Sequence, residues 1–85
     1  MSSWFIYILQ CDDGSLYTGI TTDVERRLAE HKAGTASKYT RAHGAESIVY
    51  IEAVDDRSNA SKREAEIKQL TRAEKMHLHS KDEEA

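Results

Sequence analysis

Two short apolar runs separated by a charged turn set what this chain can become. Trp4 to Leu9 and Leu16 to Ile20 are rich in aromatic and β-branched residues, and Asp12-Asp13-Gly14 stands between them. Strand-favouring runs on either side of aspartate and glycine predict a β-hairpin. Register decides what the hairpin displays, because a slip of one residue sends every side chain to the opposite face. A two-residue turn at Asp13-Gly14 separates Tyr7 and Tyr17. A three-residue loop, with Gly14 in the left-handed region, suits these residues too, and pairs Cys11 with Ser15, Leu9 with Tyr17 and Tyr7 with Gly19. Both phenols then share a face, and Gly19 leaves an open floor beside Tyr7 for a bulky group such as a phosphate.

A helix follows. Thr22 and Glu25 have capping-box spacing and Gly34 is a natural stop, so the pattern predicts a helix from Asp23 to Ala33. Arg27 and His31, four apart, lie on one face of it, and Val24 and Leu28 flank them, which turns that face toward the protein. The small, polar stretch Gly34 to Glu46 reads as a loop with room for a short helical turn. Ile48 to Val54 alternates as a third strand, and a helix capped by Ser58 runs to Leu70. Thr71 and Glu74 repeat the capping-box spacing and open a last helix to His79. His77 and His79, two apart, point in different directions on it and read as helix-end residues, not a metal pair.

An 85-residue chain makes one small domain, expected over residues 1–80 with an acidic, disordered tail over 81–85. The lone Cys11 has no partner for an internal disulfide or a zinc site and reads as a packed strand-end residue. No apolar run approaches the ~20 residues of a membrane helix. No charged leader with a cleavage site precedes Trp4, so a cytoplasmic location is expected. The net charge is −3, yet residues 31–45 carry Lys32, Lys38 and Arg41 with no acid. Residues 57–75 set six bases against three acids, so two basic segments are available to face phosphate. Within the first, Lys38-Tyr39-Thr40-Arg41 places a tyrosine between cations, an arrangement that serves either base stacking or fastening of the loop. On the helix after the third strand, Glu64 falls within the apolar stripe of Ala60, Ile67 and Leu70, where an unpaired carboxylate is costly. Glu66 points outward.

Phe5-Ile6-Tyr7, Tyr17-Thr18-Gly19, Arg27, His31 and Glu64, taken at these spacings, resemble the GIY-YIG nuclease domain in its short stand-alone form. The likeness spans about Trp4 to Lys75 and extends to the Lys38-Tyr39-Thr40 stretch. It implies an α/β (α+β) fold, a three-stranded antiparallel sheet flanked by helices in the order β-β-α-β-α-α. The first glycine and the second isoleucine of the name-giving triplets are replaced here. Many catalytic members carry an asparagine after the metal-binding helix, and the only asparagine here is Asn59.

The resemblance implies a divalent-metal-dependent endonuclease that hydrolyses DNA phosphodiester bonds in repair or recombination. It gives Tyr7, Tyr17, Arg27, His31 and Glu64 as catalytic, with Gly19 structural at the site and Glu64 the ligand of one Mg2+ or Mn2+ ion. By its implied roles Tyr17 is the base, Tyr7 orients water or substrate, Arg27 holds the scissile phosphate, and His31 positions the phosphate or shares the proton. Lys32, Lys38, Tyr39, Arg41 and Lys68 are the expected nucleic-acid contacts. DNA is the expected partner, RNA also fits, and a repair protein is a further candidate. Alternatives stay open: a binding module that keeps the scaffold without cutting, a structural interaction domain with no nucleic acid, Glu66 in place of Glu64 as the metal ligand, and a Glu64 that is ion-paired to Arg27 with no metal.

Overall fold

The computed structural model describes the backbone of residues 3–84 and the side chains of residues 3–78. Trp4–Cys11 (β1) and Leu16–Thr21 (β2) form the hairpin, and the longer-loop register is the one adopted: Leu9 faces Tyr17 and Tyr7 faces Gly19. Gly14 sits at φ 85°, a conformation that costs a glycine little and a side chain much. The Cys11 N–H donates to the Ser15 carbonyl at 2.8 Å and the Gly14 N–H to the Cys11 carbonyl at 2.9 Å. These bonds close the loop and set the register for everything downstream.

Val24–Ala33 (α1) is capped by Asp23, whose carboxylate accepts from the Arg26 N–H at 3.1 Å. The expected cap, Thr22, lies one residue too early. Thr21 turns the chain instead, its hydroxyl accepting from the Asp23 N–H at 3.1 Å. Gly34 ends the helix at φ 80°, as its position suggested. The loop that follows contains a real helix, Lys38–His43 (α2), capped by Ser37 and stopped at Gly44. The third strand, Ala45–Val54 (β3), begins three residues before the expected Ile48, because the Gly44 carbonyl already accepts from the Asp12 N–H at 3.0 Å and draws the chain onto the sheet. Arg57–Lys68 (α3) is capped by Asp56 and not Ser58, and its carboxylate takes the Asn59 N–H at 2.8 Å. Before Arg72–Glu84 (α4) the Thr71–Glu74 capping box closes in both directions, at 3.0 and 3.2 Å. The acidic end expected as a separate tail is part of α4 as far as Glu84, and Ala85 lies outside the described residues.

The sheet order is β2-β1-β3, all antiparallel, so β1 is central and buried on both faces. One face packs Ile6 and Ile8 against Ala60 and Ile67 of α3. The other packs Tyr7, Leu9 and Cys11 beneath Leu28 of α1, with Tyr17 and Ile48 beside them. Fully burying an isoleucine such as Ile6 or Ile8 stabilises by roughly 1.5–3 kcal/mol, so these alternating residues fix which face receives which helix. Cys11 is fully buried and its thiol is pushed up by burial, consistent with a packing role. No described helix is long and apolar enough to cross a membrane.

Candidate active site

The pleat of the hairpin places Tyr7 and Tyr17 on one face, with ring centres 6.5 Å apart. Helix α1 crosses above them and delivers His31 between the two: its ring lies edge-on at 5.7 Å from Tyr7 and 5.2 Å from Tyr17. The Tyr7 hydroxyl and His31 Nε2 are 2.7 Å apart, and His31 Nδ1 is 2.7 Å from the Thr40 hydroxyl on α2. Tyr7, His31 and Thr40 are each no more than 1% exposed. Both ring nitrogens of His31 are therefore engaged by protein, Nε2 by Tyr7 and Nδ1 by Thr40.

Gly19 shows why the family pattern keeps glycine there, though not as the open floor expected from the sequence. The Tyr7 ring itself lies across it: a Cβ at position 19 would stand 2.5 Å from the Tyr7 oxygen and 2.7 Å from its ring carbon. A large ring folding over a cross-strand glycine covers backbone that would otherwise be exposed.

Burial pushes the Tyr7 phenol up to about 12, with Tyr17 and Glu64 adding to it and the Arg27 guanidinium opposing. His31 is held below its ordinary value by burial and by Arg27, so the ring stays neutral. Arg27, one turn before His31, bonds Glu30 at 3.2 Å through one arm of its fork. Its Nε is buried with no hydrogen-bond partner among the described residues. A buried guanidinium donor without an acceptor is costly, and the rest of the group is held between Glu30 and the Tyr7 phenol.

Glu64 stands on α3, and its charge is one of the smaller influences that raise the Tyr7 phenol. It is ion-paired at 3.3 Å to Lys68 and its side chain is 23% exposed, while Glu66 is 65% exposed and pairs with Arg63. The alternative Glu64–Arg27 pair does not form, since Arg27 turns to Glu30 on its own helix. Lys68, expected to contact nucleic acid, is half exposed and also pairs with Glu64 one turn away. One hard, partly exposed carboxylate, with its other positions left to water, is a donor set that fits a hydrated Mg2+ or Mn2+. Among the described residues no three His, Cys, Asp or Glu side chains gather into a closed protein cage. His77 is exposed on α4 and the side chain of His79 lies outside the described ones.

Lys32, Lys38 and Arg41 are exposed, and the last two line a polar hollow of about 260 Å³ with Gly34 and Ser37. Of the two roles open to Tyr39, fastening of the loop is the one its contacts serve. Its ring is stacked on His43 at 4.2 Å and on Tyr17 at 5.7 Å, and His43 in turn pairs with Asp13 at the hairpin tip. This row of rings fastens α2 to the hairpin. The sequence reading passed over Thr40, His43 and Asp13; the signal was Ser37 followed by Thr40 at capping distance with Gly44 as stop, which marks α2 and turns Thr40 inward.

Paired tyrosines on a hairpin, with an arginine and a histidine from the next helix and a glutamate from a later one, define a small phosphodiester-directed α/β domain. The model of the GIY-YIG catalytic domain matches residues 3–77, and the chain belongs to this family. It is 53% identical over 74 residues to a UPF0213 protein of Haloquadratum walsbyi, covering 87% of this chain and 83% of that one. Among solved structures, a protein from E. faecalis is 41% identical with a TM-score of 0.66, covering all of this chain and 91% of its own. A UPF0213 protein from Bacillus halodurans is 44% identical with a TM-score of 0.57, covering 91% and 82%.

Proposed function

We propose that this GIY-YIG domain is a divalent-metal-dependent endonuclease that hydrolyses DNA phosphodiester bonds, acting in repair or recombination on structured or unpaired sites. The observation that carries the reading is the buried, partnerless Nε of Arg27 beside the Tyr7–His31 hydrogen bond. This supports a reading in which a permanent positive charge with a donor to spare stands near a hydroxyl that already has a base. A domain this small offers too little surface for long sequence readout, which favours recognition by shape.

Arg27 holds the scissile phosphate and stabilises the charge that builds on it. The family resemblance implies Tyr17 as the base. The geometry makes a stronger case for Tyr7, whose hydroxyl has His31 Nε2 at 2.7 Å. As water attacks phosphorus, its proton passes to the Tyr7 oxygen while the Tyr7 proton passes to Nε2. A phenol raised to about 12 need not then exist as a free phenolate. The P–O bond to the leaving strand breaks, and that oxygen takes a proton from solvent. Tyr17, half-buried against His31, helps to orient water and phosphate. Glu64 would hold the metal, which when bound neutralises charge on the phosphoryl oxygens.

Incubating the protein with supercoiled, branched and single-stranded DNA, with Mg2+, Mn2+ or chelator, tests this. Metal-requiring cleavage that is absent in Glu64→Ala supports the reading. DNA retention with no cleavage under any condition points to a binding module on the same scaffold.

A further inference from the structure

Thr40 belongs to none of the expected site residues, yet its hydroxyl lies 2.7 Å from His31 Nδ1, on the side of the ring opposite Tyr7. A neutral imidazole carries one hydrogen, and which nitrogen bears it is set by the partner of the other. Two directions are open to the chain Tyr7–His31–Thr40–Ser37, and counting buried hydrogens separates them.

If Nε2 carried the hydrogen it would donate to the Tyr7 oxygen, and the Tyr7 hydroxyl hydrogen would be left without a protein acceptor in a side chain only 1% exposed. If Nδ1 carries it, each hydrogen of the row finds a protein acceptor. Tyr7 donates to Nε2, Nδ1–H donates to Thr40, and the Thr40 hydroxyl passes its hydrogen to Ser37, whose hydroxyl is at 2.9 Å and whose carbonyl is at 3.5 Å. Ser37 is partly exposed, so its own hydrogen can meet water. Ser37 also accepts the Thr40 N–H at 3.1 Å as the cap of α2, so the same residue that starts this helix holds the threonine in place.

We propose that Thr40 is a positioning residue that fixes His31 as the Nδ1–H tautomer and so keeps Nε2 free to accept the proton of Tyr7. A base oriented by a third hydrogen-bonding group is the arrangement that general-base sites on unrelated folds use, with a carboxylate or an amide in the third place. Here the third group is a neutral hydroxyl, which orients the ring without adding a buried charge beside Arg27. The consequence for catalysis rests on the nuclease reading above; the tautomer itself does not.

The test is long-range proton–nitrogen correlation NMR of the His31 ring in 15N-labelled, metal-free protein, with wild type beside Thr40→Val and Thr40→Ser. In wild type and Thr40→Ser, Nδ1 is expected to carry the hydrogen, with Nε2 bare. In Thr40→Val this tautomer is expected to be lost, because Nδ1–H would face a methyl group. A wild-type ring protonated at Nε2 overturns the proposal, whether or not the valine variant folds. So does a folded Thr40→Val protein that keeps Nδ1–H. In cleavage assays Thr40→Val is expected to lower kcat on the order of 10-fold or more with KM unmoved, and Thr40→Ser to restore it. An inactive wild type with the expected tautomer would refute the nuclease reading alone. An active wild type with the opposite tautomer would refute only this one.

Discussion

Tyr7 on β1 lies over Gly19 on β2 so closely that a methyl group at position 19 would stand 2.5 Å from the phenol oxygen. The glycine of the second triplet is thus the seat of the tyrosine of the first. Gly19→Ala is expected to push the Tyr7 ring off His31 and to destabilise the fold by about 1–3 kcal/mol, the usual cost of overpacking. Urea unfolding reads the stability, and the His31 ring resonances read the displacement. A variant as stable as wild type with unmoved resonances would mean that the sheet yields locally and the contact is not tight.

His31 makes stability depend on pH. Its folded-state value is lowered below the ordinary 6.5 by burial, then by Arg27, so the unfolded chain binds the proton more readily than the folded one. The stabilising contribution is whole above pH 6.5 and shrinks as the pH falls below it. The urea midpoint is expected to rise between pH 5 and pH 7, and to rise less in His31→Gln. Asp13, lowered by its bonds to Ser15 and His43, acts in a separate window below its ordinary 3.8. An unchanged slope in His31→Gln would place the dependence elsewhere.

The stack Tyr17–Tyr39–His43 makes a prediction opposite to the base-stacking expectation. Tyr39→Phe keeps both ring contacts and is expected to leave stability and DNA retention unchanged. Tyr39→Ala is expected to cost about 0.5–1.5 kcal/mol per lost ring pair, read by thermal or urea unfolding. DNA binding lost in Tyr39→Ala at full stability would restore the stacking role.

Lys38 and Arg41 border the polar hollow at the start of α2 and have no acid beside them in the sequence. If each contacts a phosphate, replacing either by alanine lowers the slope of log K against log salt by ~1, without changing substrate preference. A slope that does not move would exclude these side chains from the DNA path.

The hairpin was legible because Asp12-Asp13-Gly14 separates two strand-favouring runs, but two loop lengths suited these residues, and only the fold, with Gly14 at φ 85°, selects the longer. Glu64 stood out in the sequence because a carboxylate in an apolar stripe is an anomaly, and the fold answers it with an ion pair to Lys68 at 3.3 Å. The helix caps were less so: Asp23 stands beside Thr22 and Asp56 lies two before Ser58, and adjacent residues of similar capping strength are separated only by where the chain leaves the sheet. Helix α2 has six residues and no apolar period, so little in it announces a helix apart from Ser37 and Gly44. The His31–Thr40 contact joins two helices across a loop, and no spacing rule within one element reaches it.

Single-turnover cleavage of DNA by wild type and Tyr7→Phe, with Mg2+ and protein in excess, tests the central claim most directly. Phenylalanine keeps the ring over Gly19 and removes only the oxygen that faces His31. The account predicts that wild type cuts, and that Tyr7→Phe cuts ~10²-fold or more slowly while retaining DNA equally well. A wild type that never cuts, or a Tyr7→Phe protein that cuts as fast, would contradict it.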